Sequence, residues 1–352
     1  PDRCYACTGA AWGTRKFHLL RRFFLFKTIA PMSEIAPRSR PYATVDVFTQ
    51  QPLLGNPVAV VLDGSGLSDA QMQAFARWTQ LSETTFVLPP SAAAQAAGAD
   101  YQLRIFTPTG ELAFAGHPTL GSCHAWLAHG GQPRHPQRVL QECKKGLVEL
   151  TVNAQGALFF EAPSLERRTP SAEEIAPILQ ALGLHPEQLI ASQYLHNGSP
   201  WLGLLLDSPE TVLGVEPNWQ ALKALGAKAG LAALTDAEED APLIARSSRE
   251  ARAFAKQQLA HLEPESQPVA EQAQLEVRAL VGSTLSEDPV TGSLNAALAQ
   301  WLTAEGYLQT PYSASQGICV GRDGKVLVQT GEQGQIQVGG HTVTCVLGRV
   351  LL

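Results

Sequence analysis

The chain has 352 residues, 45 % of them apolar and 16 % charged, and a net charge of −6. That length supports two hydrophobic cores, and the composition is that of an ordinary globular protein. The acidic balance, with no basic stripe interleaved with aromatics, excludes a nucleic-acid binder, and no apolar run approaches the roughly 18–20 residues of a membrane span.

The first 31 residues stand apart. They hold six of the 26 basic residues and one acid, Asp2, so they carry +5 while the remainder carries −11. Residues 15–27 are basic and aromatic but interrupted by charge, whereas a secretory signal needs an unbroken apolar core of about 7–15 residues. This stretch is expected to be an upstream extension, with an atypical region reaching to residue 40 and the fold starting at 41. Cys4 and Cys7 form a lone CxxC inside it, without the second pair that a zinc site needs. Cys123, Cys143, Cys319 and Cys345 show no tight spacing and read as small buried side chains in a reducing cytoplasm.

Residues 44–49 alternate as a strand, a turn falls at 54–56, and 57–62 return as a second strand. Ser68 with Gln71 forms a capping box that predicts a helix to about Thr79. The β-branched run at 82–88 predicts a strand, 91–99 a loop of small residues, and 101–106 a strand turning at 108–110. Hairpin-like runs occupy 138–142, 147–152 and 157–161, and 163–170 reads as a linker. Ser171 caps a helix to about Leu182, and strands follow near 188–194 and 201–206. Residues 247–272, rich in Ala, Gln, Glu and Arg, read as a helix and loop inserted at the surface. A strand at 275–281, an apolar helix and hairpins to 351 complete the chain. Strands outnumber helices, and the short connections favour antiparallel pairing.

Two twelve-residue windows, 117–128 and 288–299, match at six positions: Pro118/Pro289, Gly121/Gly292, Ser122/Ser293, Ala125/Ala296, Leu127/Leu298 and Ala128/Ala299. Each follows a strand-like run with a central arginine, Arg104 or Arg278, and the same 171-residue offset pairs Gly146 with Gly317. Residues 289–302 carry no charge and 118–127 only His124, so both helices must be surrounded by protein. A curved antiparallel sheet around each would do this. The repeat predicts two similar halves that face each other with the motifs at the seam.

That seam is where chemistry is expected. Pro118 and Pro289 suit the first helical position, behind which unpaired N–H groups and the macrodipole favour a carboxylate or phosphate. Gly116 and Gly292 would let a ligand approach the backbone. One such motif alone would read as helix punctuation; the duplication favours a site. His117 and Asp288 precede the two prolines, and equivalent positions would set an imidazole and a carboxylate on opposite sides of one ligand. Glu83 is one acid among 32, but it enters a buried-looking strand, and a partly buried Glu raised to about 6–7 serves as both acid and base. No GxGxxG after a strand, Walker loop, GxSxG or HExxH occurs, so nucleotide, flavin and zinc readings have no support.

Asp46-Val47-Phe48-Thr49 with Gly55-Asn56-Pro57, Leu81-Ser82-Glu83-Thr84-Thr85-Phe86, Phe114-Ala115-Gly116-His117-Pro118-Thr119, Glu287-Asp288-Pro289-Val290-Thr291-Gly292-Ser293 and Gln316-Gly317 follow one another in order. Together they resemble the motif blocks of the PhzF phenazine-biosynthesis family, over about residues 42–351. The resemblance implies a diaminopimelate-epimerase-like α/β (α+β) fold of two pseudo-symmetric halves, residues 41–167 and 168–352, the last strand returning to the first half. Each half would be an antiparallel barrel-like sheet around a central helix, with the active site between. It also implies an isomerase that needs neither cofactor nor metal. Glu83 would transfer the proton, His117 and Asp288 would bind and orient the substrate, Gly116, Gly292 and Ser293 would line carboxylate pockets, and Asn56 would be a further contact.

The family's phenazine enzyme isomerises trans-2,3-dihydro-3-hydroxyanthranilate by moving a proton between ring carbons. Two departures qualify the transfer. Related epimerases use a cysteine pair at the mouths of the central helices, where this chain has Ala115 and Asp288-Pro289, so two-thiol racemisation is disfavoured. Leu280-Val281-Gly282-Ser283-Thr284 replaces an aromatic-proline run, so the substrate is expected to be another small carboxylate. A cytoplasmic homodimer is expected, with no nucleic-acid or membrane partner. The alternatives are an epimerase or racemase on the same fold and a non-catalytic metabolite-binding or protein-interaction module.

Overall fold

The computed structural model describes residues 37–235 and 273–352. The leader with its CxxC and the surface insertion expected at 247–272 lie outside the described residues. Strand β1 (Ser39–Val47) begins just ahead of the expected start at 41 and forms a hairpin with β2 (Asn56–Val61). Helix α1 (Asp69–Thr79) follows with its capping box in place: Gln71 N–H donates to Ser68 Oγ, and the Gln71 side chain accepts from Ser68 N–H. Next come β3 (Thr84–Leu88), a short α2 (Ala92–Ala96) within the expected loop, and β4 (Tyr101–Phe106). Alanines joined to the Ser91 cap suffice for that one extra helical turn. Then β5 (Glu111–Leu112), α3 (Gly116–Ala128), β6 (Arg138–Cys143), β7 (Gly146–Val152) and β8 (Leu158–Glu161) complete the first run.

The second run repeats this plan. It comprises β9 (Glu166–Arg168), α4 (Ala172–Leu182), β10 (Leu189–His196), β11 (Pro200–Leu206), α5 (Pro209–Gly214), α6 (Trp219–Ala224), β12 (Lys228–Leu234), β13 (Leu275–Val281), β14 (Ser286–Asp288), α7 (Gly292–Ala304), β15 (Tyr312–Gln316), β16 (Gly324–Thr330) and β17 (Ile336–Gly340). Strand β18 (Thr342–Leu351) ends the chain. The linker expected at 163–170 contributes β9, which pairs with β10.

The pairing pattern of the two runs is the same. In the first, β1–β2, β3–β4, β4–β5, β6–β7 and β7–β8 are antiparallel, while β2–β3 and β4–β6 are parallel. In the second, β10–β11, β12–β13, β13–β14, β15–β16 and β16–β17 are antiparallel, while β11–β12 and β13–β15 are parallel. The expected antiparallel pairing therefore dominates both runs, with two parallel pairs in each. The parallel pairs are those joined across α1, α3, α5–α6 and α7, where the chain re-enters in the same direction, whereas α2 and α4 link antiparallel neighbours. The runs join through β8–β17, and β18 returns to pair with β1 in the first run.

The repeat has a different register from the one its residues suggest. Gly116 opens α3 and Gly292 opens α7, each helix has 13 residues, and each is preceded by a two- or three-residue strand. His117 therefore corresponds to Ser293 and Asp288 to Leu112, so His117 and Asp288 are not equivalents. Gly146 likewise opens β7 while Gly324, not Gly317, opens β16. Pro118 is the third residue of α3, and Pro289 precedes α7 altogether.

Both central helices are buried as expected. Leu120, Cys123 and Ala125 of α3 and Leu294, Ala296–Ala299, Trp301 and Leu302 of α7 belong to one continuous core. Gly121 lets α3 lie on the sheet, since a Cβ there would stand 2.4 Å from Val58 Cγ1 and 2.9 Å from Val47 Cγ2. The outer faces carry separate cores. Met72, Phe75 and Ala76 of α1 pack on Phe86 and Phe106, and Ile178, Leu179 and Leu182 of α4 pack over Leu202, Leu204 and Leu231. Contacts hold the described residues from Arg38 onward as one compact unit.

Candidate active site

Two bidentate ion pairs hold the approaches to the central helices. Arg104 of β4 donates to both oxygens of Glu111 on β5, at 2.8 and 2.6 Å. Arg278 of β13 grips Glu287 on β14 in the same way and also donates to the Val212 and Val215 carbonyls. Planar forks of this kind set orientation as well as distance. The second one fixes the residue next to Glu287, which is Asp288.

Glu83 enters the site through strand alternation. In β3 the Thr84 hydroxyl meets Thr79 of α1, at 2.8 Å, whereas Thr85 turns to Ser122 of α3, at 2.8 Å. Residues two apart share a face, so Glu83 points with Thr85 toward α3. There its Oε2 lies 3.0 Å from His117 Nδ1. The other imidazole nitrogen, Nε2, lies 3.0 Å from the Asn56 carbonyl. A carbonyl only accepts, so Nε2 carries a proton. The Glu83–His117 contact then holds one proton on one partner or the other: an imidazolium beside a carboxylate, or a neutral imidazole accepting from a carboxylic acid.

Asn56 continues the chain of contacts. Its Nδ2 donates to Asp288 Oδ1 at 3.1 Å and to the Val290 carbonyl at 2.8 Å. Asp288 Oδ2 accepts from the Thr291 hydroxyl at 2.7 Å. Gln316, fully buried, braces the turn: Nε2 donates to the Asp288 carbonyl, and Oε1 accepts from Thr291 N–H and Asn295 Nδ2. Loss of solvation pushes the Asp288 carboxyl up to about 6, and the charge of Glu83 adds to the rise. Hydrogen bonds from Thr291 and Asn56 and the charge of His117 act the other way. Glu83, His117, Asn56 and Asp288 thus form one connected group, brought together through Asn56 and not by repeat symmetry.

The helix starts meet at this group. A Cβ on Gly292 would lie 3.4 Å from His117 N and 3.8 Å from Gly116 C. Neither N-cap residue, Ala115 nor Thr291, caps its helix with a side-chain hydrogen bond, which leaves first-turn N–H groups to face an anion. Gly116 has a packing reason of its own, because a Cβ there would fall 2.3 Å from Phe160 Cζ. Ser293 accepts from Trp201 Nε1 through Oγ and from Asn197 Nδ2 through its carbonyl.

Residue patterns alone missed Lys228, Asn197 and Trp201, which carry no motif and join the site only through sheet pairing. Gln316 lies in a motif block to which the resemblance assigns no role. Burial lowers the Lys228 ammonium from its ordinary range, while the charges of Asp288 and Glu83 oppose that shift. Cys123 is buried within α3, and desolvation pushes its thiol up to about 12. Among the described residues no three His, Cys, Asp or Glu side chains gather as metal ligands do. No described helix is long and apolar enough to cross a membrane.

Known proteins are similar to this chain in sequence and fold. Residues 45–348 match the family described as phenazine biosynthesis-like protein, PhzC-PhzF. Antisense-enhancing sequence 1 of Schizosaccharomyces pombe is 32% identical over 321 residues, covering 88% of this chain and 97% of that protein. Trans-2,3-dihydro-3-hydroxyanthranilate isomerase of Pseudomonas fluorescens is 36% identical over 184 residues, which span 51% of this chain and 62% of the enzyme. The crystal structure of a PhzF-family phenazine biosynthesis protein from Bacillus anthracis shares the fold with a TM-score of 0.69 and 20% identity, covering 90% of this chain and all of that one.

Proposed function

The chain belongs to the phenazine biosynthesis-like PhzC-PhzF family, and we propose that it is a cofactor-independent isomerase that moves a proton on a small carboxylate-bearing metabolite, with Glu83 as the proton carrier. The observation that carries this reading is the Glu83–His117–Asn56–Asp288 chain of contacts set where two uncapped helix starts meet. The carboxylate of Glu83 takes a proton from a substrate carbon, and the electron pair left behind spreads toward the substrate's unsaturated system. The carboxylic acid so formed returns the proton to a second carbon, so the reaction is redox-neutral. His117, anchored through Nε2–H on the Asn56 carbonyl, holds Glu83 in place and balances its charge. The helix starts, with Gly292 and Ser293, receive the substrate carboxylate, and Asp288 orients the remaining polar group.

A carboxylate that takes and returns one proton on one side of the substrate performs a shift between carbons, which supports an isomerase over a two-group epimerase. The trans-2,3-dihydro-3-hydroxyanthranilate isomerase relative supports the same reaction type. The departure at Leu280–Thr284 lies at the β13–β14 turn that delivers Asp288, and it supports a substrate other than the phenazine precursor.

Incubation in deuterated water with a panel of cyclic and α-amino carboxylates tests the reading. At least one compound should gain mass or shift chromatographically, and Glu83→Gln should slow that change about 10²–10⁴-fold while keeping the fold. Full activity in the Gln variant would remove Glu83 from the chemistry.

A further inference from the structure

Lys228 opens β12 as Glu83 precedes β3. The first parallel pair of the first run is Ala59 with Thr84, and that of the second run is Leu202 with Ala229. The residue just before each pair is Glu83 in one half and Lys228 in the other. Glu83 turns to the first turn of α3, where it meets His117. The corresponding turn of α7 presents Ser293, and the Lys228 side chain lies beside the Trp201 indole that donates to Ser293 Oγ. The Lys228 ammonium stands 4.1 Å over the Trp201 ring and donates to Ser199 Oγ at 2.6 Å. Among the described residues no carboxylate pairs with it.

A second observation points to the same place. Asn197 is 8 % exposed and spends its Nδ2 on the Ser293 carbonyl, while its buried Oδ1 has no partner. The start of α7 therefore offers a partly buried cation and an acceptor still to be met, while the start of α3 holds Glu83.

We propose that Lys228 is a specificity-determining residue: its ammonium receives the substrate's carboxylate at the start of α7, and Asn197 Oδ1 accepts from a neighbouring hydroxyl or amino group. The substrate is then a hydroxy- or amino-substituted carboxylic acid held with its carboxylate on Lys228 and its reacting carbon toward Glu83. The inference rests on the isomerase reading above but adds a residue, a direction of binding and a discrimination that the reading does not contain. An ion pair in such surroundings is stronger than in water, because the ammonium is already stripped of much of its hydration.

Small cyclic hydroxy- and amino-carboxylic acids, each matched with its carboxamide, test it by calorimetry on the full chain. Acids that bind the parent should bind Lys228→Met about 10- to 100-fold more weakly, the loss of one charge-assisted contact. Lys228→Arg should recover much of the affinity, and the carboxamides should bind both proteins alike. Lys228→Met retains an apolar stem over Trp201; should it not fold, Lys228→Gln keeps a donor for Ser199 and serves instead. Acids that bind parent and Met variant equally but lose affinity in His117→Ala overturn the role of Lys228 and leave the isomerase reading standing. A panel in which no acid binds the parent overturns both.

Discussion

At the scale of single residues, Asp288 shows how the site opposes the fold. Its carboxyl sits at about 6 in the folded chain against 3.8 for the ordinary group. Below about pH 3.8 both states are protonated and the residue has no effect. As pH rises the unfolded chain releases its proton first, so stability falls until the folded group also ionises, and above about pH 6 a penalty on the order of 3 kcal/mol is complete. Asp288→Asn removes that charge and keeps an acceptor for Asn56. Relative to the parent it should gain about 2 kcal/mol between about pH 4.5 and pH 8, read from urea melts at the two values, while turnover falls. A stability difference independent of pH would show that Asp288 is not held against ionisation. Gly116 is the opposite case, a residue of the site explained by packing. Gly116→Ala drives a Cβ into Phe160 and should cost about 1–3 kcal/mol. Adding Phe160→Leu should return part of that loss, and strictly additive effects would exclude the clash.

At the scale of elements, α3 and α4 stay in place for different reasons. Helix α4 is amphipathic and locally specified: Ser171 and Glu174 form a capping box, Gly183 closes the helix in the left-handed conformation, and Arg168 pairs with Glu174. Ser171→Ala should cost about 1 kcal/mol and leave activity unchanged, because α4 packs on the outer face of its sheet and against α6, in a core separate from the one that holds α3 and α7. Helix α3 has no side-chain cap and nine buried residues, so it stands only because a sheet surrounds it. Gly121→Ala would press a Cβ against Val58 and Val47, displace α3, and separate His117 from Glu83. A loss of about 1–3 kcal/mol should come with a fall in turnover, and Val58→Ala should restore part of each. Unaltered kinetics in Gly121→Ala would mean that α3 does not position the acid.

At the scale of the whole molecule, the two runs behave as one body. The strand ladder passes from one to the other through β8–β17, β18 closes on β1, and a single apolar core includes both central helices. Denaturation followed by tryptophan fluorescence and by far-ultraviolet dichroism should therefore give one coincident transition. Two separated transitions would show the halves to be independent. Removing β18 takes one of the two antiparallel neighbours of β1 along its whole length, leaving only β2, and should leave the first run insoluble, since an exposed edge recruits other chains.

What the residues determine unaided is local or periodic. The caps at Ser68 and Ser171, the strands at 101–106 and 275–281, and the uncharged helices that must be enclosed follow from hydrogen-bonding capacity and from alternation, properties of neighbouring residues. The motif blocks likewise pointed to Glu83, His117, Asn56 and Asp288, which lie in one hydrogen-bonded chain. Register was decided elsewhere. A fully buried helix carries small and apolar residues on every face, so α3 and α7 match each other in more than one alignment. Only the strand pairs leading into Gly116 and Gly292 choose between them. The same pairing sets Lys228 beside Trp201, within the electrostatic influence of Glu83 and Asp288, although no residue near it in the chain marks it as functional. Hydrogen bonds between strands far apart in sequence place that ammonium, and such contacts exist only once the sheet has closed.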